Sequence, residues 1–136
     1  TFVSAVYLML AQTTGIINYA LAGSPPPLLY QPKEKPIREL ALTEGQILGI
    51  GDGSFSEEIV KLSAGDIVII YTDGVIEARN KQKEEFGLPR LKEAILHCQK
   101  FSAEELIERI IGNIQLFTHG QEQSDDFTLF IFKKAP

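Results

Sequence analysis

Residues 67–78, Ile-Val-Ile-Ile-Tyr-Thr-Asp-Gly-Val-Ile-Glu-Ala, join a run of strand-forming residues to an acidic turn. The five β-formers of Ile67–Tyr71 lie between turn signals, which predicts a strand buried on both faces. We expect the strand to end at residues 72–74, where Asp73 follows almost directly. Because the end of a buried strand is rigid, it can hold a carboxylate in a fixed position.

A second acidic site precedes the last predicted strand. Asp125 and Asp126 stand directly before residues 127–132, Phe-Thr-Leu-Phe-Ile-Phe, which we predict to be another deeply buried strand. Clustered carboxylates repel one another unless cations intervene, and oxygen ligands of this kind suit Mg²⁺ or Mn²⁺. The two acidic sites therefore indicate a divalent-metal site at one end of a sheet. An Asp-Gly turn and a loop leading into a strand would use the same residues without a metal, so spacing alone leaves both interpretations open.

The order of the remaining elements is typical of an α+β fold. Strands come first, then two helices, then a final strand. The strand predictions are a hairpin from 2–10 and 16–21 around Gly15 (with a helix over the first run as the alternative), and strands at 28–30, 37–42 and 55–62, with a charged turn at 32–36. One helix has Pro89 in its first turn and an apolar stripe from Leu91 to Cys98; the other begins with the capping-box sequence 102–105.

The composition is that of one ordinary globular domain. The chain has 136 residues, of which 44% are hydrophobic and 23% charged, with a formal net charge of −5. This length supports one core, so we expect residues 1–136 to form a single domain. The acidic balance argues against nucleic-acid binding, and no apolar run reaches the roughly 18 residues that would span a bilayer. We therefore expect this segment to contact neither nucleic acid nor membrane. The single cysteine cannot form a disulfide within the chain, which suits a reducing compartment, so we expect a cytoplasmic protein.

Five segments occur in the order and spacing of one family. They are residues 17–26 (Ile-Asn-Tyr-Ala-Leu-Ala-Gly-Ser-Pro-Pro), 62–66, 71–79 (Tyr-Thr-Asp-Gly-Val-Ile-Glu-Ala-Arg), 86–87 (Phe-Gly) and 123–128 (Gln-Ser-Asp-Asp-Phe-Thr). Over essentially its whole length, the chain resembles the bacterial metal-dependent serine/threonine phosphatases related to stage II sporulation protein E and RsbU, a branch of the PPM (type 2C-like) fold. The resemblance implies a β-sandwich of mostly antiparallel sheets flanked by helices, with a two-metal site for Mn²⁺ or Mg²⁺ at one end.

The same resemblance implies roles for four residues. Asp73 matches a direct metal ligand, and Asp125 matches the other ligand on this side of the site. Asp126 would assist through water or act as an alternative ligand, and Gly74 would let the backbone turn sharply beside the metal. The implied reaction is attack by metal-activated water on a phosphoserine or phosphothreonine of a regulatory protein similar to anti-anti-sigma factors.

Departures from the family pattern lead to further expectations. The family's site also needs acidic motifs upstream of the first strand seen here, so we expect a C-terminal portion of the domain, incomplete at its N-terminus and inactive alone. An exposed strand edge would then allow a homodimer. Leu21 and Ser24 stand where the family usually has Asn and His. The alternative is therefore a non-catalytic phosphatase-like scaffold, or a sensory or binding module.

Overall fold

Within residues 1–34, 37–123 and 125–136, which the computed structural model describes, the chain forms two antiparallel sheets and three helices. Part of the predicted turn at 32–36, and Ser124 of the second acidic segment, lie outside these residues. The elements are β1 (Ala5–Ala11), β2 (Ile16–Ala22), β3 (Leu28–Tyr30), β4 (Arg38–Glu39), β5 (Glu58–Lys61), β6 (Ile67–Tyr71), α1 (Asp73–Ile76), α2 (Gly87–Cys98), α3 (Ala103–Thr118) and β7 (Leu129–Lys133).

The predicted hairpin forms one side of a three-stranded sheet. Strands β1 and β2 pair antiparallel from Ala5 opposite Ala22 to Ala11 opposite Ile16, and β5 adds to the other edge of β2. Gly15 has a φ of 70°, the left-handed conformation that a tight turn requires and that glycine adopts without strain. The strand interpretation of the first apolar run is thus confirmed over the helical alternative.

The second sheet has the order β4-β3-β6-β7 and packs against the first. Ile17, Tyr19 and Leu21 of β2 meet Leu29 and Val68 of the second sheet in a buried apolar layer. The hydroxyl of Tyr19 donates to the carbonyl oxygen of Ala41 at 2.7 Å, so the buried phenol has a partner. The two sheets therefore form a sandwich.

Helices α2 and α3 cover the opposite face of the four-stranded sheet. Their apolar stripes pack on Ile67 and Ile69 of β6; the helical residues in this contact are Leu91, Ile95, Leu106, Ile110 and Ile114. Strand β6 lies in the interior of the sheet and is buried on both faces, as predicted. The predicted capping box starts α3: the Ser102 hydroxyl accepts the N–H of Glu105, whose carboxylate accepts the N–H of Ser102. The α+β prediction is confirmed, with strands first, helices next and one strand last.

Four local predictions differ from the structure. The strand expected at 55–62 spans only Glu58–Lys61. The last strand, expected as deeply buried at 127–132, spans Leu129–Lys133 and lies at the sheet edge, where Ile131 is buried but Phe130 is 54% exposed. The strand expected at 37–42 is limited to Arg38–Glu39: the amide of Leu40 still donates to the carbonyl of Pro27, but proline has no N–H to return the bond. The turn expected at 72–74 continues into the one-turn helix α1.

The outer face of the three-stranded sheet exposes apolar side chains. Tyr7 and Met9 of β1 and Ile59 of β5 are each more than half exposed. Among the residues that the structure describes, β1 pairs along its length with β2 alone, so its other edge is open.

Within the same part of the chain, no helix combines the length and the apolar character that crossing a bilayer requires.

Candidate metal centre

The β6–β7 ladder brings the two acidic segments to the same end of the four-stranded sheet. Tyr71 pairs with Leu129, and the register continues for one further residue on each strand. The N–H of Thr72 donates to the carbonyl oxygen of Thr128 at 3.1 Å, and the N–H of Thr128 donates to the Thr72 Oγ1 at 2.8 Å. Asp73 follows directly and opens α1. The carboxylates that the sequence places 52 positions apart are therefore neighbours in space.

Asp73 and Asp125 line one open pocket of about 260 Å³. The other lining residues are Ser4, Gly23, Ser24, Pro25, Thr72, Gly74 and Glu77. Asp73, Glu77 and Asp125 contribute carboxylates, and no lysine or arginine is among the described lining residues. The pocket is therefore negative and is suited to a cation rather than to a free anion.

Gly74 and Asp126 meet through the backbone. A Cβ added at Gly74 would lie 2.5 Å from the carbonyl oxygen of Asp126, closer than any side chain allows. Gly74 lies inside α1 and does not have a positive φ, so close approach is what requires glycine here. Asp126 is not among the pocket-lining residues, and its exposed carboxylate stands one residue beyond that of Asp125.

The aromatic residue that ends β6 adds no charge to this site at neutral pH. Burial, with smaller contributions from the negative charges of Glu39 and Asp73, raises the pKa of Tyr71 to about 12. The phenol is therefore neutral near pH 7 and does not act as a base there. The basic residue that follows α1, Arg79, pairs with Glu85 at 2.9 Å.

The donor chemistry fits a hard divalent cation, whereas the number of donors is incomplete. Carboxylate oxygens are the ligands that Mg²⁺ and Mn²⁺ prefer; Asp73 presents one at the start of α1, and Asp125 presents one in the segment before β7. Among the described residues, however, no group of three or more His, Cys, Asp or Glu side chains is close enough to hold a metal ion. Asp73 and Asp125 alone would therefore supply only part of the ligands that such a cation needs.

The structure separates the two positions at which the chain departs from the family pattern. Ser24 lines the pocket, whereas Leu21 is buried between the two sheets. Sequence reasoning missed Glu77, which lines the pocket one helical turn after Asp73. The i, i+4 spacing of the two acids could have indicated a shared face, but only if residues 73–76 had been predicted as helical.

Solved structures with the same architecture define the class of protein. Over 98% of this chain, the structure superposes on the RsbU and RsbW domains of Rv1364c from Mycobacterium tuberculosis with a TM-score of 0.75 and 28% identity, covering 37% of that chain. The phosphatase domain of the cell fate determinant SpoIIE from Bacillus subtilis gives a TM-score of 0.72 at 15% identity, with 98% of this chain and 59% of that chain covered. The sandwich is therefore the fold of PPM-type phosphatase domains, as the resemblance implied.

Sequence comparison then gives the family. The profile of the stage II sporulation protein E (SpoIIE) family matches residues 1–135, and the chain belongs to that family. Over 118 residues the chain is 29% identical to the phosphoserine phosphatase RsbU of Bacillus subtilis. This alignment covers 86% of this chain and 34% of RsbU. The chain spans no more than 34% of the length of the curated relatives that it matches.

Proposed function

We propose that this chain is part of a metal-dependent protein phosphatase that hydrolyses phosphoserine or phosphothreonine on a regulatory protein. The observation that carries the proposal is that Asp73 and Asp125 line one pocket at a strand end, in a chain of a phosphatase family. The similarity to a phosphoserine phosphatase supports the reaction class. For the substrate we propose a phosphorylated regulator similar to anti-anti-sigma factors.

In this proposal, Asp73 and Asp125 hold one side of a two-cation site for Mn²⁺ or Mg²⁺. Asp126 contributes through a water molecule or as an alternative ligand, and Gly74 leaves room for the terminal segment beside α1. Bound cations would lower the pKa of a water molecule and neutralise charge on the phosphoryl oxygens. The carboxylates themselves orient the site and repel a phosphate dianion in the absence of cations.

The exposure of the site favours a protein substrate over a small molecule. The side chains of Asp73 and Asp125 are solvent-exposed and the pocket is open rather than enclosed. Pockets for small ligands are typically concave and mostly apolar, and they bury most of the ligand surface. An acidic site whose carboxylates are exposed at the end of a sandwich instead admits a phosphorylated side chain on a protein surface.

We further propose that residues 1–136 are the C-terminal portion of a longer phosphatase domain and are inactive alone. The 59% coverage of the SpoIIE phosphatase-domain chain supports this. A homodimer through the open edge of β1 and a cytoplasmic location complete the proposal.

The second candidate function is a non-catalytic phosphatase-like scaffold or sensory module that binds a regulatory partner. Ser24 favours it, because this residue lines the pocket where the family usually has a histidine or asparagine. Such a module would keep the fold and the partner surface while lacking turnover. The two functions differ in whether phosphate is released.

Phosphate release from a phosphoserine protein by the full-length protein, with and without Mn²⁺, tests the proposal. We expect Mn²⁺-dependent release, and Asp73→Asn should reduce it at least about 100-fold, because it removes a charged oxygen ligand. Asp52→Asn is the matched control: the same change in an exposed bend that does not line the pocket. Activity retained in Asp73→Asn would overturn the residue assignment, and partner binding without phosphate release would favour the scaffold.

A further inference from the structure

Thr72 occupies the point where the chain leaves β6 and enters α1. Its carbonyl oxygen accepts the N–H of Val75 at 3.0 Å and so begins the helical turn. In a regular antiparallel pair, that carbonyl would instead accept the N–H of the opposite residue, Thr128. The departure of the chain from the sheet therefore diverts an acceptor on which Thr128 would otherwise depend.

The hydroxyl of Thr72 replaces the diverted carbonyl. The N–H of Thr128 donates to Thr72 Oγ1 at 2.8 Å, while the N–H of Thr72 donates to the Thr128 carbonyl at 3.1 Å. Thr72 is also the N-cap residue of α1, yet its side chain makes no capping bond. A threonine at this position commonly caps the helix through its hydroxyl. Here the hydroxyl instead accepts a hydrogen bond from the neighbouring strand segment.

This pair of bonds links the two segments that carry the pocket carboxylates. Thr72 directly precedes Asp73, and Thr128 lies three residues after Asp125. A further contact joins the same segments, because the N–H of Arg79 donates to Gln123 Oε1 at 3.3 Å. Of these two side-chain bonds, the one made by the Thr72 hydroxyl lies at the end of β6 and directly beside Asp73.

We propose that Thr72 is a positioning residue, whose hydroxyl sets the separation of the Asp73 and Asp125 carboxylates by holding the Thr128 amide. The inference rests on the proposed function of those carboxylates as metal ligands. Groups that orient metal ligands through hydrogen bonds typically change metal affinity 10–100-fold when they are removed. Both threonines are solvent-exposed, so water can replace the lost bond and the fold itself should tolerate the change.

The test compares Thr72→Val, which has the same shape without an acceptor, with Thr72→Ser, which keeps the hydroxyl. The readouts in the full-length protein are Mn²⁺ affinity by calorimetry and the exchange rate of the Thr128 amide hydrogen by NMR in the metal-free protein. We expect Thr72→Val to weaken Mn²⁺ binding about tenfold and to speed exchange, whereas Thr72→Ser stays within about twofold of wild type.

Thr14→Val is the matched control. Thr14 is also exposed, and its hydroxyl also accepts a backbone N–H, that of Ile16. It lies in the β1–β2 turn, far from the acidic pocket: the neighbouring Gly15 is close to Lys134, which follows the opposite end of β7. We expect it to leave both readouts unchanged. Wild-type protein that binds no Mn²⁺ would overturn the proposed function and this inference with it. Wild-type binding that Thr72→Val leaves intact, or a Thr72→Val protein that unfolds, would overturn the positioning role alone.

Discussion

The carbonyl oxygen of Asp126 packs against the α-carbon of Gly74, leaving no space for a side chain there. This contact holds the segment before β7 beside the first turn of α1. It complements the Thr72–Thr128 pair, so the two acidic segments are held together by backbone contact as well as by hydrogen bonds.

Gly74→Ala should therefore disturb the site. The added methyl would lie 2.5 Å from the Asp126 carbonyl, so one of the two segments must move. We expect a loss of about 1–3 kcal/mol in the free energy of unfolding, as for other overpacked positions, together with weaker Mn²⁺ binding. Urea unfolding and calorimetry of the full-length protein measure both.

Gly112→Ala is the control for that substitution. Gly112 lies inside α3, and a Cβ there would meet nothing within 4 Å. Because glycine is a poor helix former, this change should raise the free energy of unfolding by about 1 kcal/mol. Equal effects of the two substitutions would contradict the close contact at Gly74.

Asp125 and Asp126 should differ in their contribution to metal binding. Asp125 lines the pocket with Asp73, whereas Asp126 does not. We expect Asp125→Asn to weaken Mn²⁺ binding by a factor of about 10 or more, and Asp126→Asn to have a smaller effect. Calorimetric titration of each variant gives the ratio, and a larger effect at Asp126 would reverse the assignment.

The capping box of α3 should make stability depend on acid pH. The hydrogen bonds from Ser102 lower the pKa of Glu105 below its ordinary value of 4.5. Its contribution to stability is therefore present above pH 4.5 and is lost as the pH falls through the lowered pKa of the folded state. Glu105→Gln should flatten this part of the pH profile in thermal unfolding.

Two variants test the source of that dependence. Glu104→Gln removes the same charge from the same turn but is not part of the capping box, so the contribution of Glu105 should remain in this variant. Ser102→Ala should cost about 1 kcal/mol at neutral pH, because an amide at the helix start loses its acceptor. A flat profile in wild type would contradict the prediction.

The open edge of β1 should promote self-association. Tyr7 and Met9 are both 54% exposed on this edge strand, and unpaired strand edges readily pair with another chain. We expect a concentration-dependent dimer of the 136-residue chain in analytical ultracentrifugation, and Met9→Lys should weaken it about tenfold or more. Leu116→Lys, which places the same charge at a 73% exposed position of α3, should leave it intact. A monomer at every concentration would contradict this expectation.

Local patterns in the sequence were sufficient for most elements. The hairpin around Gly15, the capping box at Ser102 and the apolar run of β6 each depend on residues a few positions apart, and each is present as predicted. The ordered acidic segments also led to the family, which the comparison over residues 1–135 confirms. The roles of Asp73, Asp125, Asp126 and Gly74 stay predictions.

Other features depend on contacts between distant parts of the chain. Residues 127–132 have the composition of a buried strand, but in the part of the chain that the structure describes β7 has a strand neighbour on one side only, and Phe130 is exposed. Residues 73–76 contain an Asp-Gly pair typical of a turn, but the carbonyl of Thr72 accepts the N–H of Val75 and the chain continues into a one-turn helix.

The amino-acid sequence by itself determined the order of the elements apart from α1, the family, and Asp73 and Asp125 as candidate site residues, because periodicity, caps and motifs are encoded locally. The tertiary structure alone decided that Asp73 and Asp125 share a pocket, that Glu77 and Ser24 join them, and that Thr72 bonds to Thr128. The physical reason is the β6–β7 register: antiparallel pairing sets which residues of two distant segments become neighbours, and no local pattern specifies it.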